Sequence, residues 1–187
     1  MPRTLRDIED ELLVLRGQDG DREALRLLVE RWQPRLLGIA RSLTGRPDAA
    51  ADAVQETWVG MMRSLRRLDD PARFKEWICR ILTNKCADTV RMWQRDRKLL
   101  RTTPPREDVE APEDGSPELR AAMASLSDAH RTVVLLHYVG GLDVRTMARV
   151  VGVPVGTVKS RLHHAREALR SAIEKNETER TCHGHVG

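Results

Sequence analysis

The stretch Asp143-Val-Arg-Thr-Met-Ala-Arg-Val-Val-Gly-Val-Pro-Val-Gly-Thr-Val-Lys-Ser-Arg-Leu-His-His-Ala-Arg166 decides the fold. Asp143 is a favoured helix N-cap, and Val144, Met147, Ala148 and Val151 follow it at helical spacing. Gly152 then supplies a turn, and Pro154 stands where the first position of a helix favours proline. In the helix that follows, Val155, Val158, Leu162, Ala165 and Leu169 recur three and four apart, which makes one amphipathic stripe. A short helix, a glycine turn and a longer helix form a helix-turn-helix. On the outer surface of the longer helix the spacing places Gly156, Ser160, His163 and His164. Lys159, Arg166 and Arg170 stand on one flank and Thr157 and Arg161 on the other. Short polar groups toward bases with cations toward phosphates are what a helix in a DNA major groove requires. The alternative is an ordinary bundle helix. His163 and His164 point about 100° apart and chelate poorly, so no metal site is assigned to them.

Working outward, a helix over Glu118–Ala124 and a second one capped by Ser127, carrying Val133, Val134, Leu136, His137 and Tyr138, complete this module before Gly140-Gly141 stop it. Upstream, residues 101–118 carry 2 basic and 6 acidic residues, against 20 and 16 in residues 1–100 and 10 and 6 in residues 119–187. Two basic blocks thus flank an acidic, proline-rich connector (101–117) that lacks the apolar surface to offset ordering. It reads as a flexible linker. As a coil it would span about 25 Å, so the two modules could engage separated sites at once.

The N-terminal block reads as four helices. The first, about Thr4–Arg16, has Leu5, Ile8, Leu12 and Leu15 as its expected core stripe. The second starts at Asp21 with Leu25, Leu28, Trp32, Leu36, Ile39 and Leu43 on one face, and Pro34 inside it is expected to bend or break it. The third opens at Pro47-Asp48 and is expected to bury Val54, Trp58, Met61, Met62, Leu65 and Leu68. The fourth, about Pro71–Lys98, is expected to bury Phe74, Trp77, Ile78, Ile81, Leu82 and Met92. Opposite the apolar face of the third helix lie Asp52, Glu56 and Arg63, with Asp48 and Gln55 beside them: either a solvated face or a dock for a basic partner. On the fourth, Asn84, Asp88, Arg91 and Arg95 form one stripe, and the basic run to Lys98 includes Trp93, which could stack on an unpaired base. A snorkelling helix end is the plainer alternative.

Composition excludes several classes. Four Trp, one Tyr and one Phe in 187 residues speak against a β-rich fold, which draws on aromatic and β-branched residues. No apolar run approaches the ~20 residues of a membrane span, and no apolar signal core opens the chain, so a cytoplasmic protein without membrane insertion is expected. Three cysteines do not make a disulfide framework; Cys79 and Cys86, seven apart on one helix, are read as core thiols. The tail Cys182-His-Gly-His185 holds three ligand-type residues, too few for a closed zinc site. It reads as disordered, with metal or redox sensing as the alternative. No paired carboxylates in an apolar setting, nucleophile-base arrangement or glycine-rich phosphate loop is present, so neither an enzyme nor a cofactor is expected.

The sequences Asp52-Ala-Val-Gln-Glu-Thr-Trp58, Phe74-Lys-Glu-Trp-Ile-Cys-Arg-Ile81 with Asn84, Asp88 and Arg91, and Val155-Gly-Thr-Val-Lys-Ser-Arg-Leu-His-His-Ala-Arg-Glu167 together resemble the extracytoplasmic-function (ECF) sigma factors of the sigma-70 family. The resemblance implies an all-α chain of two small helical domains: a sigma region 2 bundle (1–100), the acidic linker (101–117), a sigma region 4 helix-turn-helix domain (118–175) and a disordered tail (176–187). It implies core RNA polymerase, through its β′ clamp helices and β flap, promoter DNA and an anti-sigma factor as partners. Asp48, Asp52, Gln55 and Glu56 would dock on the polymerase. Asn84, with the loop from Leu68 to Arg73 including Asp70 and Arg73, would hold the −10 element, and Arg91, Arg95 and Lys98 would hold its phosphates. Thr157, Lys159, Ser160 and His163, with Gly156 and His164 on the same surface, would face the −35 element, and Arg161 and Arg166 would position its backbone. The competing class is a stand-alone helix-turn-helix regulator that needs no polymerase. A two-component version of it would carry a strand-and-helix receiver domain, and residues 1–100 read as helical throughout.

Overall fold

In the computed structural model, which describes residues 4–100 and 116–183, eight α-helices and two single 3₁₀ turns account for the ordered elements. The helices are α1 (Leu5–Gln18), α2 (Arg22–Thr44), α3 (Pro47–Ser64), α4 (Phe74–Leu100), α5 (Pro117–Ser125), α6 (Asp128–Tyr138), α7 (Val144–Val151) and α8 (Val155–His183). The 3₁₀ turns, Leu65–Arg67 and Pro71–Arg73, join α3 to α4. No strand occurs among the described residues. The acidic connector 101–115 lies outside them, as do residues 184–187 and the side chains of Lys98, Cys182 and His183. Where the sequence reading ends the second domain at 175 and starts a disordered tail, α8 continues to His183.

Local chemistry sets the helix starts. Thr4 closes a capping box with Asp7. Asp21, Ser127 and Asp143 accept bonds from first-turn amides of α2, α6 and α7. Pro154 precedes α8 rather than opening it: its carbonyl accepts from the Val158 amide at 3.2 Å, which is the N-cap role. Pro34 does not break α2, which runs through it to Thr44.

The N-terminal domain packs α1, α3 and α4 around α2. Trp32, Leu28, Leu36 and Ile39 of α2 are fully buried. The Phe74 ring meets Trp32 edge-on, with centroids 5.7 Å apart. Small residues Ala49, Ala50 and Ala53 bring α3 close to its neighbours. Cys79 and Cys86 are buried free thiols, and burial pushes both up to about 12. Six expected core positions are corrected. The α1 stripe faces outward, with Leu5 at 80% exposure and Ile8, Leu12 and Leu15 also exposed; Asp10, Leu13, Val14 and Gly17 face the core instead. The indole N–H of Trp32 donates to Asp10 at 3.0 Å, so a carboxylate is drawn inward to satisfy a buried donor. Burial raises the Asp10 pKa, against the bonds from Arg31 and Trp32. Met62 and Met92 are exposed as well.

In the C-terminal domain Met123, Val133, Leu136, Met147, Val158, Leu162 and Ala165 form the core. Its least expected member is Arg131, 1% exposed. Its guanidinium donates to the carbonyls of Met123 (3.0 Å), Ala124 (3.1 Å) and Leu126 (2.8 Å). The Met123 carbonyl also accepts from the Leu126 amide at 3.3 Å, so the guanidinium adds a second donor there and serves the carbonyls beyond the last turn of α5, and the positive charge suits a helix C-terminus. Gly152 takes φ +68° to turn α7 into α8, a conformation that favours glycine. The two domains touch: α7 packs on α4 and α6 on α2.

Candidate nucleic-acid and polymerase interfaces

Three surfaces carry the residues singled out in the sequence. On α3, Asp48, Asp52, Gln55 and Glu56 are exposed together. Asp48 is paired with Arg46, whose hydrogen bond holds its carboxyl below the usual aspartate range; Glu56 pairs with Lys85 of α4 at 2.8 Å. Beside them runs a shallow groove of about 600 Å³ between α2 and α3, lined by Gln33, Leu37, Gln55, Trp58, Val59 and Met62 among others. Met62 and Val59 are exposed apolar side chains, so the acidic face has an apolar floor next to it. The sequence reading placed Met62 in the core because it adjoins Met61, but one residue along a helix turns the side chain by about 100°.

On α4, Asn84, Asp88, Arg91 and Arg95 are all exposed on one stripe, about 16 Å long at 1.5 Å per residue. Arg91 bonds Asp88 at 2.7 Å and the Ala87 carbonyl at 3.2 Å, which holds its guanidinium along the helix. Trp93 is half-buried, and the Arg46 guanidinium lies 4.7 Å from its ring centroid. The ring face is therefore shared with a cation. In the loop before α4, the Asp70 carboxylate caps the 3₁₀ turn by accepting from the Ala72 amide, and Arg73 pairs with Glu76 at 3.0 Å.

On α8, Gly156, Lys159, Ser160, His163, His164 and Arg166 are exposed and Thr157 and Arg161 half-buried, while Val158, Leu162 and Ala165 are buried beneath them. The stripe's first member, Val155, is exposed. Ser160 Oγ donates to the Thr157 carbonyl at 3.0 Å. His163 and His164 each lie 3.4 Å from Glu167. Arg166 Nε donates to the Tyr138 hydroxyl at 2.8 Å, with its guanidinium 5.6 Å from that ring, so α6 orients a cation of α8. Among the described residues no group of His, Cys, Asp and Glu is arranged to hold a metal ion, and no helix is long and apolar enough to cross a membrane.

Sequence reasoning missed Glu76. It is 6% exposed and accepts from Arg73 of its own domain (3.0 and 3.4 Å) and from Arg149 of α7 (2.9 and 2.8 Å). The Arg149 bonds, opposed by burial and aided by Arg73, hold its carboxyl below the usual glutamate range. No local signal marks a pair 73 residues apart.

The arrangement has known counterparts. The family models described as Sigma-70 region 2 and Sigma-70, region 4 match residues 28–96 and 116–169, together well over half of the chain. The chain is 33% identical over 163 residues to the ECF RNA polymerase sigma factor SigE of Mycolicibacterium smegmatis, covering 81% of this chain and 62% of that one. It thus spans less than two thirds of that relative's length. It is 28% identical to the ECF RNA polymerase sigma factor SigW of Bacillus subtilis (82% of this chain, 91% of that one). To the ECF RNA polymerase sigma-E factor of Haemophilus influenzae it is 29% identical (89% and 96%). Among solved structures, CnrH, determined in complex with the cytosolic domain of CnrY, superposes with a TM-score of 0.66 at 27% identity over 89% of this chain and 98% of that one. The sigma factor RpoE of Bartonella quintana, determined with the anti-sigma factor NepR, shares the fold with a TM-score of 0.72 at 24% identity (80% and 96%). With both regions matched in order on two helical domains, the chain belongs to the ECF sigma factors of the sigma-70 family.

Proposed function

We propose that this chain binds core RNA polymerase in the cytoplasm and directs it to promoters by reading −10 and −35 elements, under the control of an anti-sigma factor. The observation that carries the reading is the split face of α8: Val158, Leu162 and Ala165 are buried while Lys159, Ser160, His163 and Arg166 are presented outward together. That is the form of a helix offered to a major groove. Thr157, Lys159, Ser160 and His163 face the −35 bases, with Gly156 and His164 beside them, and Arg161 and Arg166 take backbone phosphate. Asn84 and the Leu68–Arg73 loop hold the −10 strand, and Arg91, Arg95 and Lys98 neutralise its phosphates. Opening that strand and extruding a base costs a few kcal/mol, which contacts along α4 offset. Asp48, Asp52, Gln55 and Glu56 dock on the β′ clamp helices beside the groove floored by Val59 and Met62, and the C-terminal domain reaches the β flap. Catalysis belongs to the polymerase; this chain supplies position.

The anti-sigma assignment draws on the fold's neighbours, CnrH and the Bartonella RpoE, each determined with a bound partner protein. The stand-alone regulator remains the competing class, and gel-shift titration separates the two. With a duplex carrying both elements, the sigma reading expects weak binding by the chain alone and tight, specific binding once core polymerase is added. Tight specific binding without polymerase would contradict it.

A further inference from the structure

We infer that α1 is a self-association surface, and that a second copy of this chain lays its own α1 against it in parallel through Leu5, Ile8, Leu12 and Leu15. The inference does not depend on the promoter reading. These four side chains are 46–80% exposed. They step by three, four and three residues, which is the a/d seam of a heptad repeat. Asp10, Leu13, Val14 and Gly17, on the other side of the helix, are buried against the chain's own domain. The seam is therefore surplus to the fold, and α1 has a single face left for a neighbour. A shallow groove of about 500 Å³ between α1 and α2 widens it, with Leu12 and Leu27 in its lining and the Glu9–Arg31 ion pair (2.9 Å) at its edge. A contiguous row of exposed apolar side chains marks an interaction site.

Charge decides what covers it. Residues 5–18 carry four acidic and two basic side chains, which sets the seam against an anionic lipid surface. The connector 101–115, with five acids and two bases, is repelled in the same way. A second copy fits. In the heptad register Glu9 and Arg16 take e positions and Glu11 a g position. Parallel helices set each g residue against the following e residue of the other helix, so Glu11 meets the partner's Arg16 and, by symmetry, Arg16 meets the partner's Glu11. An antiparallel pair centred on the seam instead sets Glu9 against the partner's Glu9 and Glu11 against the partner's Glu11, two like-charge contacts. Arg16 is steadied at the flank of the seam by Asp21, at 2.8 and 2.6 Å. A seam about 15 Å long belongs to the small-interface class, so the dimer is reversible and concentration-dependent.

Sedimentation velocity on the full chain tests this over about 5–200 µM, where so small an interface associates. The wild-type average mass is expected to climb toward twice that of the monomer. Ile8→Glu with Leu12→Glu, shown by circular dichroism to keep its helix content, is expected to stay monomeric throughout. Orientation is read with Leu12→Cys in a Cys182→Ser background, oxidised with diamide. Parallel packing brings the two Cys side chains face to face within disulfide reach, so a covalent dimer is expected. Antiparallel packing offsets them by about 6 Å along the axis. A wild type that remains monomeric at the highest concentration, including one that floats with phosphatidylglycerol vesicles instead, overturns the inference. So does a double variant that associates like wild type, or a Leu12→Cys chain that does not cross-link. None of these readouts uses DNA or polymerase, so failure of the promoter reading would leave them intact.

Discussion

Arg131→Met tests whether the buried guanidinium is what closes the end of α5. In the wild type it satisfies three carbonyls, of Met123, Ala124 and Leu126, at 2.8–3.1 Å. Methionine fills much of the same volume but donates nothing: the buried Leu126 carbonyl loses its donor, the Met123 carbonyl keeps the Leu126 amide at 3.3 Å, and Ala124 is an exposed residue open to water, so the loss comes to about 1–3 kcal/mol. Relief from burying a charge returns part of that sum, leaving a net loss of about 1.5 kcal/mol. With a urea m-value of about 1.5 kcal/mol/M, the C-terminal transition should move down by about 1 M. The chain supplies its own domain-specific probes: all four tryptophans (Trp32, Trp58, Trp77, Trp93) lie in the N-terminal domain and the single tyrosine, Tyr138, in the C-terminal one. Tryptophan emission then follows the first domain, and far-UV circular dichroism follows both. In the variant the dichroism curve should gain an early phase while the tryptophan midpoint moves much less. A dichroism midpoint within about 0.5 M of wild type would refute the reasoning, because the carbonyls would then be satisfied without Arg131.

Other outcomes follow from the same geometry. Burial alone would raise the Asp7 pKa, but hydrogen bonds from Lys75 and Thr4 outweigh it and lower it to about 2; with a depressed folded value the contribution is full above the ordinary 3.8 and disappears as pH falls through about 2. It amounts to about 2 kcal/mol at neutral pH, so Asp7→Asn should flatten the acid-unfolding profile between pH 4 and 2, and an unchanged profile would count against the Asp7–Lys75 tie. Asp52→Arg combined with Glu56→Arg should leave helix content intact and weaken core-polymerase binding at least about ten-fold, or about 1.4 kcal/mol; equal capture in a pull-down removes the docking assignment. Lys159→Ala with Ser160→Ala should reduce use of −35-bearing promoters with polymerase binding unaltered. Unaffected promoter use would show that α8 is not the reading helix.

Much of this architecture can be read from local chemistry. Thr4, Asp21, Ser127 and Asp143 announce helix starts because their side chains cap amides within three residues, and the Gly152 turn sets α7 against α8 by its backbone conformation alone. The stripes of α2 and α8 are equally plain, since each helix has one strongly apolar side. In α1 two apolar sets compete, Leu5/Ile8/Leu12/Leu15 and Leu13/Val14, and periodicity does not say which one meets a neighbour. The choice is made by Trp32, whose N–H calls for an acceptor at Asp10, 22 positions away. Glu76 and Arg131 were illegible for the same reason: each is buried because its partners lie on other helices. Pro34 read as a break because propensity counts the lost hydrogen bond and ring clash but not the packing of Trp32, Leu36 and Ile39 on either side of it, which keeps α2 whole. The polar stripes of α3, α4 and α8, by contrast, stood where helical spacing put them, since exposure follows once the buried face is known.

The central claim is tested most directly by run-off transcription from a library of promoter templates with core RNA polymerase, with and without this chain. The account predicts discrete transcripts from a subset of −10/−35-bearing templates only when the chain is present, lost in the Lys159→Ala/Ser160→Ala variant. Transcript patterns identical with and without the chain across the library would contradict it.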